Sequence, residues 1–257
     1  MGARFDRLAD RLLHRGALRR WTRAADAAAR VDLATLRLLR TRARVLRRQL
    51  DRLLFVAENR LALPLIGSSA MRRPMGTDWA WRPDYWRGPA PVPGIASVPP
   101  RAELGPGATL FHDAPDSEIT ARQLRNTRES DLAPYGLRLD LFHFGGSFLS
   151  LALDLPDEAV QGLRLRHLIR LETVLELERP MPLYARLNIR QGPNTEQVAL
   201  SLVQDGDEAV AEFDLAYTRM VETRVEKLWI DLIFEQPQMN RITLRDVTLS
   251  RRPRAEL

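Results

Sequence analysis

The sequence predicts an α+β protein divided by segment: an N-terminal arginine-rich helical hairpin, then an antiparallel, jelly-roll-like β-sandwich. Three observations carry this. Residues 3–61 are dominated by Ala, Leu and Arg, all good helix formers, and no Pro occurs before Pro64. Most of 108–251 alternates apolar and polar residues with period two. Turn signals separate those runs, leaving no room for the long crossover helices of a parallel sheet. The boundaries drawn are 1–63 for the hairpin, 64–107 for a Pro- and Trp-rich strap, and 108–257 for the sandwich.

In the first helix Phe5, Leu8 and Leu12 share a face. Leu18, Trp21, Ala25 and Ala28 share another, and Gly16 between them is a place to kink or break. The second helix is more regular. Leu36, Leu39, Ala43, Leu46, Leu50, Leu53 and Ala57 repeat at 3–4 spacing and draw one apolar stripe, with Asp32 placed as an N-cap. The simplest assembly is an antiparallel pair turning near Arg30–Leu33 with Leu and Ala along the seam. Leu53, Leu54, Phe55, Val56 and Ala57 are apolar all round, so this end is expected to dock on the body while the Arg-rich part projects. The same stripe could instead pair with a second copy.

The strap holds 10 of the 17 Pro and 6 of the 14 Gly when counted over 64–115, which disfavours long elements. It also holds Trp79, Trp81, Tyr85 and Trp86, too many aromatics for a free linker. An extended strap pinned by aromatic anchors is expected, with an exposed stacking platform as the alternative.

In the sandwich, alternation marks strands at Leu149–Leu155, Ile169–Leu177, Leu183–Arg190 and Ala209–Tyr217. Leu228–Phe234 is apolar on both faces except at Asp231, as expected of a central strand. The apolar phase slips between Ile242/Leu244 and Val247/Leu249, so Arg245-Asp246 is a candidate bulge. Gly145-Gly146, Pro180-Met181-Pro182, Gly192-Pro193-Asn194 and Asp205-Gly206-Asp207 supply turns. Short helices are expected at Ser117–Asn126 and Asp157–Leu163.

The formal charge of +6 is unevenly spread. Residues 1–60 carry 16 Arg against 6 acids, a net of +10, and the remainder nets −4. Lys227 is the only lysine, and there is no Cys, which excludes thiolate metal sites and Cys nucleophiles. Charged residues Asp6, Arg7, Asp10 and Arg11 interrupt any secretion-signal core. No apolar run approaches the ~18–20 residues of a membrane span, so a cytoplasmic, optionally membrane-peripheral location is expected.

The final runs, Leu228-Trp229-Ile230-Asp231-Leu232-Ile233-Phe234-Glu235 and Ile242-Thr243-Leu244-Arg245-Asp246-Val247-Thr248-Leu249-Ser250, resemble the closing strands of galactose-binding-like jelly rolls and carbohydrate-binding modules. Over its full length the chain also resembles an uncharacterised Rhodobacterales family of alphaproteobacteria. That likeness rests on Leu61-Ala62-Leu63-Pro64-Leu65-Ile66-Gly67, on Asp78-Trp79-Ala80-Trp81-Arg82-Pro83 and on the end Ser250–Leu257. The first likeness implies a sandwich and a carbohydrate partner. Neither implies a catalytic residue.

Candidate chemistry is sparse. His112-Asp113-Ala114-Pro115-Asp116-Ser117-Glu118 gathers an imidazole, three carboxylates and a hydroxyl. Metal binding or acid/base work needs such groups, but Ser117 capping a helix with Glu118 in its first turn explains them too. His14 is expected to face solvent on the Arg-rich helix, His143 and His167 lie in strands without a paired His at metal-ligand spacing, and there is neither a phosphate-binding Gly loop nor a nucleophile elbow. No catalytic residue, metal or cofactor is called for. Tyr184, Arg186, Asn188 and Arg190 project together from one strand and Trp229 and Asp231 from another, a mix suited to a carbohydrate. Arg37, Arg40, Arg44, Arg47 and Arg48 suit an anionic membrane surface or an acidic partner, with nucleic acid less favoured. The leading reading is a non-enzymatic binding or scaffold protein in which the sandwich recognises a ligand and the basic arm contacts an anionic surface or another subunit. The alternative is a carbohydrate-binding or carbohydrate-active protein using a polar face of the sandwich.

Overall fold

The computed structural model describes residues 2–61 and 70–254, with side chains from residue 14 onward except at 58–60. The Phe5/Leu8/Leu12 face, most of the Leu61–Gly67 motif and residues 255–257 lie outside the described set. The chain divides into two compact units, Met1–Phe55 and Val56–Leu257.

The first unit is helical. Helix α1 spans Gly2–Ala27 and runs through Gly16 without a break. A turn at 28–32 leads into α2, Leu33–Leu61. Asp32 caps α2 as expected: its Oδ1 accepts from the backbone N–H of Ala34 and of Thr35, both at 2.9 Å. These bonds, Thr35 foremost, hold the Asp32 carboxyl below the usual range. The seam is shorter than expected. Trp21, Ala24, Ala27, Ala28, Val31, Leu36 and Leu39 are half-buried around the turn, but every residue from Thr41 to Leu54 is exposed. Within the Leu53–Ala57 end, expected to be buried, Leu53, Leu54 and Val56 are exposed and Phe55 and Ala57 are half-buried. A 3–4 spacing specifies an apolar stripe and leaves its partner unspecified.

The second unit begins, within its described residues, with β1 (Trp79–Trp81), a single helical turn α3 (Asp84–Arg87), β2 (Gly94–Ile95) and β3 (Arg101–Gly105). Then come β4 (Ala108–His112), β5 (Ser117–Arg125), β6 (Tyr135–Phe144), β7 (Leu149–Asp154), β8 (His167–Leu177) and β9 (Leu183–Gln191). The chain closes with β10 (Asn194–Ser201), β11 (Val203–Asp205), β12 (Glu208–Asp214), β13 (Val225–Phe234) and β14 (Asn240–Pro253). Sheet A has the order β11-β12-β8-β14-β6-β5-β2, with β1 added beside the end of β14. Sheet B has the order β10-β9-β13-β7-β4-β3. The pairings are antiparallel, as in a sandwich of jelly-roll type.

The period-two pattern explains the core. Leu110, Leu151, Leu232 and Ala185 lie opposite one another across sheet B and are buried. On sheet A, Leu249, Leu171 and Ala211 lie opposite one another and are buried, and Leu139 faces buried Ile242. Strand β13 is central, between β9 and β7, as its two-sided apolar character requires. The expected bulge is present: the β14–β8 register shifts between Leu244 and Asp246, leaving Arg245 as the extra residue.

Three expectations give way. Ser117–Asn126 is strand β5 rather than a helix, because Ile119 and Ala121 alternate inward while Glu118 and Arg122 point out. The strand expected to reach Tyr217 stops at Asp214, whose Oδ1 accepts from the Ala216 N–H at 3.0 Å and tightens residues 215–217 into a 3₁₀ turn. The helix at Asp157–Leu163 shrinks to a 3₁₀ turn over Asp157–Ala159.

The strap is built into the sandwich. Trp79 and Trp81 pack against the core from β1, while Tyr85 and Trp86 are buried from α3. Tyr85 and Trp86 are thus buried anchors, while Trp79 and Trp81 are half-buried. At its inner edge the Arg82 guanidinium forms a two-pronged pair with Asp246, Nε to Oδ1 at 2.8 Å and a terminal nitrogen to Oδ2 at 2.7 Å.

His167 ties the same region to pH. It is buried, its Nδ1 accepts from the Arg164 N–H at 3.0 Å, and its Nε2 lies 3.6 Å from the Asp78 carboxylate. Burial outweighs the pull of Asp78 and holds the imidazole pKa below its ordinary value. The unfolded chain therefore takes up the proton first. This contribution to stability is complete above about pH 6.5 and is lost as pH falls through the folded-state value. The melting temperature of a His167→Gln variant is expected to fall less than that of the parent between about pH 7 and about pH 5. Parallel melting-temperature profiles would contradict the assignment.

Candidate functional site

The six residues singled out on β9 and β13 come together on the outward face of sheet B. The register sets Tyr184 opposite Ile233, Arg186 opposite Asp231, Asn188 opposite Trp229 and Arg190 opposite Lys227. On the other side of β13, Trp229 faces Asp154 of β7. Trp229 is half-buried and stands at the centre of this patch, with Asn188 and Asp154 across the strands and Lys227 and Asp231 two residues away along its own.

The polar groups around it are fixed by one another. The Asp231 Oδ2 accepts from Arg186 Nε at 3.0 Å and from Asn188 Nδ2 at 2.9 Å. The Asn188 Oδ1 in turn accepts from Gln197 Nε2 of β10 at 2.9 Å. Asn188 and Asp231 are buried despite pointing outward, because Arg186, Gln197 and Trp229 surround them. Lys227 and Asp154 form an ion pair at 2.8 Å, and Arg190 pairs with Glu226 at 3.3 Å. Tyr184 is exposed at the margin, where Glu235 raises its phenol pKa. The arrangement is a flat indole ringed by preset amide, carboxylate and cationic groups. It suits recognition of a ligand with an apolar face and peripheral hydroxyls. Gln197 was not legible from the sequence, because its strand lies in a run with weak alternation and only the pairing with β9 brings it beside Asn188.

The His112 cluster resolves into a turn clamp. His112 is buried and its Nε2 lies 3.1 Å from the Val98 carbonyl oxygen. Asp113 Oδ1 accepts from the Ser147 N–H at 2.8 Å and the Phe148 N–H at 3.2 Å, and its other oxygen bonds the Ser147 hydroxyl. Those bonds, the Ser147 hydroxyl foremost, lower the Asp113 pKa. Gly146 is required beneath them, since a Cβ there would stand 2.5 Å from Asp113 Oδ1. Ser117 caps no helix, which corrects the earlier expectation. Among the described residues no group of three or more His, Asp or Glu is placed to hold a metal.

A second concavity, of about 150 Å³, lies on sheet A beside the bulge. Its lining charges neutralise one another: Asp246 pairs with Arg82, Arg128 with Asp207 at 2.9 Å, and Glu208 with Arg72. These partners are 79 to 164 residues apart in the chain, so no local motif announces them. In the helical unit, Arg37, Arg40, Arg44, Arg47 and Arg48 are all exposed, and Arg47 pairs with Asp51 at 3.3 Å.

The sequence as a whole, residues 1–257, matches the model of one family, DUF6478, described as a family of unknown function. The chain belongs to that family. No curated protein matches it. Among solved structures it is similar to the enzymatically active domain of tailspike protein 4 of Bacteriophage CBA120, with 8% identity and a TM-score of 0.39. That match covers 55% of this chain and 19% of the tailspike chain, so the chain spans about a fifth of that protein. It is also similar to a family 11 carbohydrate-binding module from Clostridium thermocellum in complex with a β-1,3-1,4-mixed-linked tetrasaccharide, at 9% identity and a TM-score of 0.39 over 65% of this chain and 99% of that one. A third is a CBM22-1 xylan-binding domain from Paenibacillus barcinonensis Xyn10C, at 10% identity and a TM-score of 0.36 over 57% of this chain and 87% of that one.

Proposed function

We propose that this chain is a non-enzymatic binding protein whose sheet B takes a carbohydrate across the Trp229 face, while the basic helical segment contacts an anionic surface or another subunit. The observation that supports the sandwich half is the indole of Trp229 set among Asn188, Asp154, Lys227 and Asp231 on three adjacent strands. An indole covers the C–H face of a sugar ring, and the partly exposed Arg186, Lys227 and Asp154 side chains lie beside it for the hydroxyls, while buried Asn188 holds Asp231 in place. Binding is favoured over catalysis because Asp231 is engaged by Arg186 and Asn188 rather than presented to a ligand as an acid or base.

The test is a glycan array followed by affinity electrophoresis on each polysaccharide retained. Trp229→Ala is expected to weaken retention about thirtyfold, a loss of about 2 kcal/mol as for a central aromatic anchor. Its melting temperature should stay near that of the parent, because the residue is only half-buried. Failure of the parent chain to retain any glycan, or retention unchanged in Trp229→Ala, would remove the proposal.

A further inference from the structure

We propose that α2 lies in the plane of an anionic lipid bilayer, with its Leu36–Ala57 stripe inserted among the acyl chains and its arginines at the headgroups. This deepens the reading of the arm as a binding element and is independent of the sandwich half. At 100° per residue, Leu36, Leu39, Ala43, Leu46, Leu50, Leu53, Leu54 and Ala57 occupy an arc of ~100°. Arg37, Arg40, Arg44, Arg47, Arg48 and Arg52 occupy an arc of ~140° that begins ~20° beyond one margin of the stripe, and Arg42 lies ~20° beyond the other. Leu36 and Leu39 are half-buried at the turn with α1 and Ala57 is half-buried, but the stripe is uncovered from Ala43 to Leu54, with Leu46 40%, Leu50 48% and Leu53 62% exposed. It runs for ~32 Å, a length suited to lying along an interface. No helix among the described residues is long and apolar enough to cross a membrane.

The flanking charges select the occupant. Read as a heptad, Leu36, Ala43, Leu50 and Ala57 take the first core position and Leu39, Leu46 and Leu53 the second. The positions beside that seam then include Arg40, Arg42 and Arg47, with no acidic residue among them between 36 and 57. A second copy of α2 would bring like charges together along both edges, which opposes self-pairing. Nucleic acid would satisfy the arginines and leave the leucine stripe in water. An anionic bilayer satisfies both, since arginine stems lie along apolar surface while their guanidinium groups reach lipid phosphates.

Flotation of the full chain with phosphatidylglycerol/phosphatidylcholine vesicles, and with pure phosphatidylcholine vesicles, tests this. Salt-sensitive flotation with the anionic vesicles alone is expected. The variant Leu46→Gln/Leu50→Gln, which keeps every charge, should float at least about tenfold less. Helical content followed by circular dichroism in the presence of vesicles should rise for the parent and not for the variant. Equal flotation of parent and variant overturns insertion of the stripe. Absence of flotation combined with salt-sensitive retention on a nucleic-acid column overturns the lipid assignment while leaving the arm a binding element. Absence of both overturns the arm reading as well. A lipid-free dimer abolished by Leu46→Gln/Leu50→Gln assigns the stripe to a second copy instead and equally overturns the proposal.

Discussion

Asp246→Leu is expected to lower the stability of the sandwich by about 3–5 kcal/mol, the cost of leaving a buried guanidinium without its carboxylate. The side chains of Arg82 and Asp246 are 3% and 11% exposed and are joined by two short charge-assisted bonds. Water therefore cannot replace the missing oxygens. The pair also ties the strap to the first residue past the register shift in β14, so its loss loosens β1 as well as the bulge. Urea unfolding followed by near-ultraviolet circular dichroism reads this cleanly, because four of the five Trp lie in the second unit. Replacing both partners by apolar residues, Arg82→Met with Asp246→Leu, should recover most of the loss. A double variant as unstable as Asp246→Leu alone would show that the bulge needs the carboxylate for itself rather than for the pair.

How much of this was legible in the sequence depends on the range of the interaction concerned. Elements whose signal is local came through. The α2 stripe and its Asp32 cap, the strands of Leu149–Asp154 and Leu183–Gln191, and the slip at Arg245 all follow from periodicities within ten or so residues. Alternation placed Tyr184, Arg186, Asn188 and Arg190 on one strand face and Trp229 and Asp231 on another, but that the two faces adjoin depends on the long-range pairing of β9 with β13, which no local pattern announces. Ser117–Asn126 misled because Ser117 and Glu118 at its start imitate a helix cap, while only two buried residues, Ile119 and Ala121, mark the strand. The Leu53–Ala57 end misled for a different reason. An all-apolar segment reports a wish for burial on every side, whereas here only Phe55 and Ala57 are half-buried and Leu53, Leu54 and Val56 are exposed. Arg82–Asp246 was out of reach, since neither residue looks unusual until the strap is laid beside β14.

Trp86→Ala is the second large effect expected, again about 3–5 kcal/mol, from the cavity left by a fully buried indole. Packing is only part of it. The indole Nε1 donates to the Leu244 carbonyl oxygen at 3.0 Å, where the β14–β8 register begins to shift. Trp86→Phe keeps most of the volume and the edge-on contact with Tyr85, whose ring centroid is 5.4 Å away, but removes that donor. It should therefore cost less, about 1–3 kcal/mol for a buried carbonyl left unpaired. Arg82 and Trp86 flank Pro83 and hold the same few residues against the same bulge from two directions. Once one anchor is removed, the other has less ordered strap to hold. The combined variant Trp86→Ala/Arg82→Met/Asp246→Leu is thus expected to lose less than the sum of the separate losses. Limited proteolysis within 88–100 should accelerate already in Trp86→Ala, since β2 and the loop before it follow directly from α3. Additive losses with no new cleavage would mean that the two anchors act on separate parts of the structure and that the strap is held mainly by its pairing through β1.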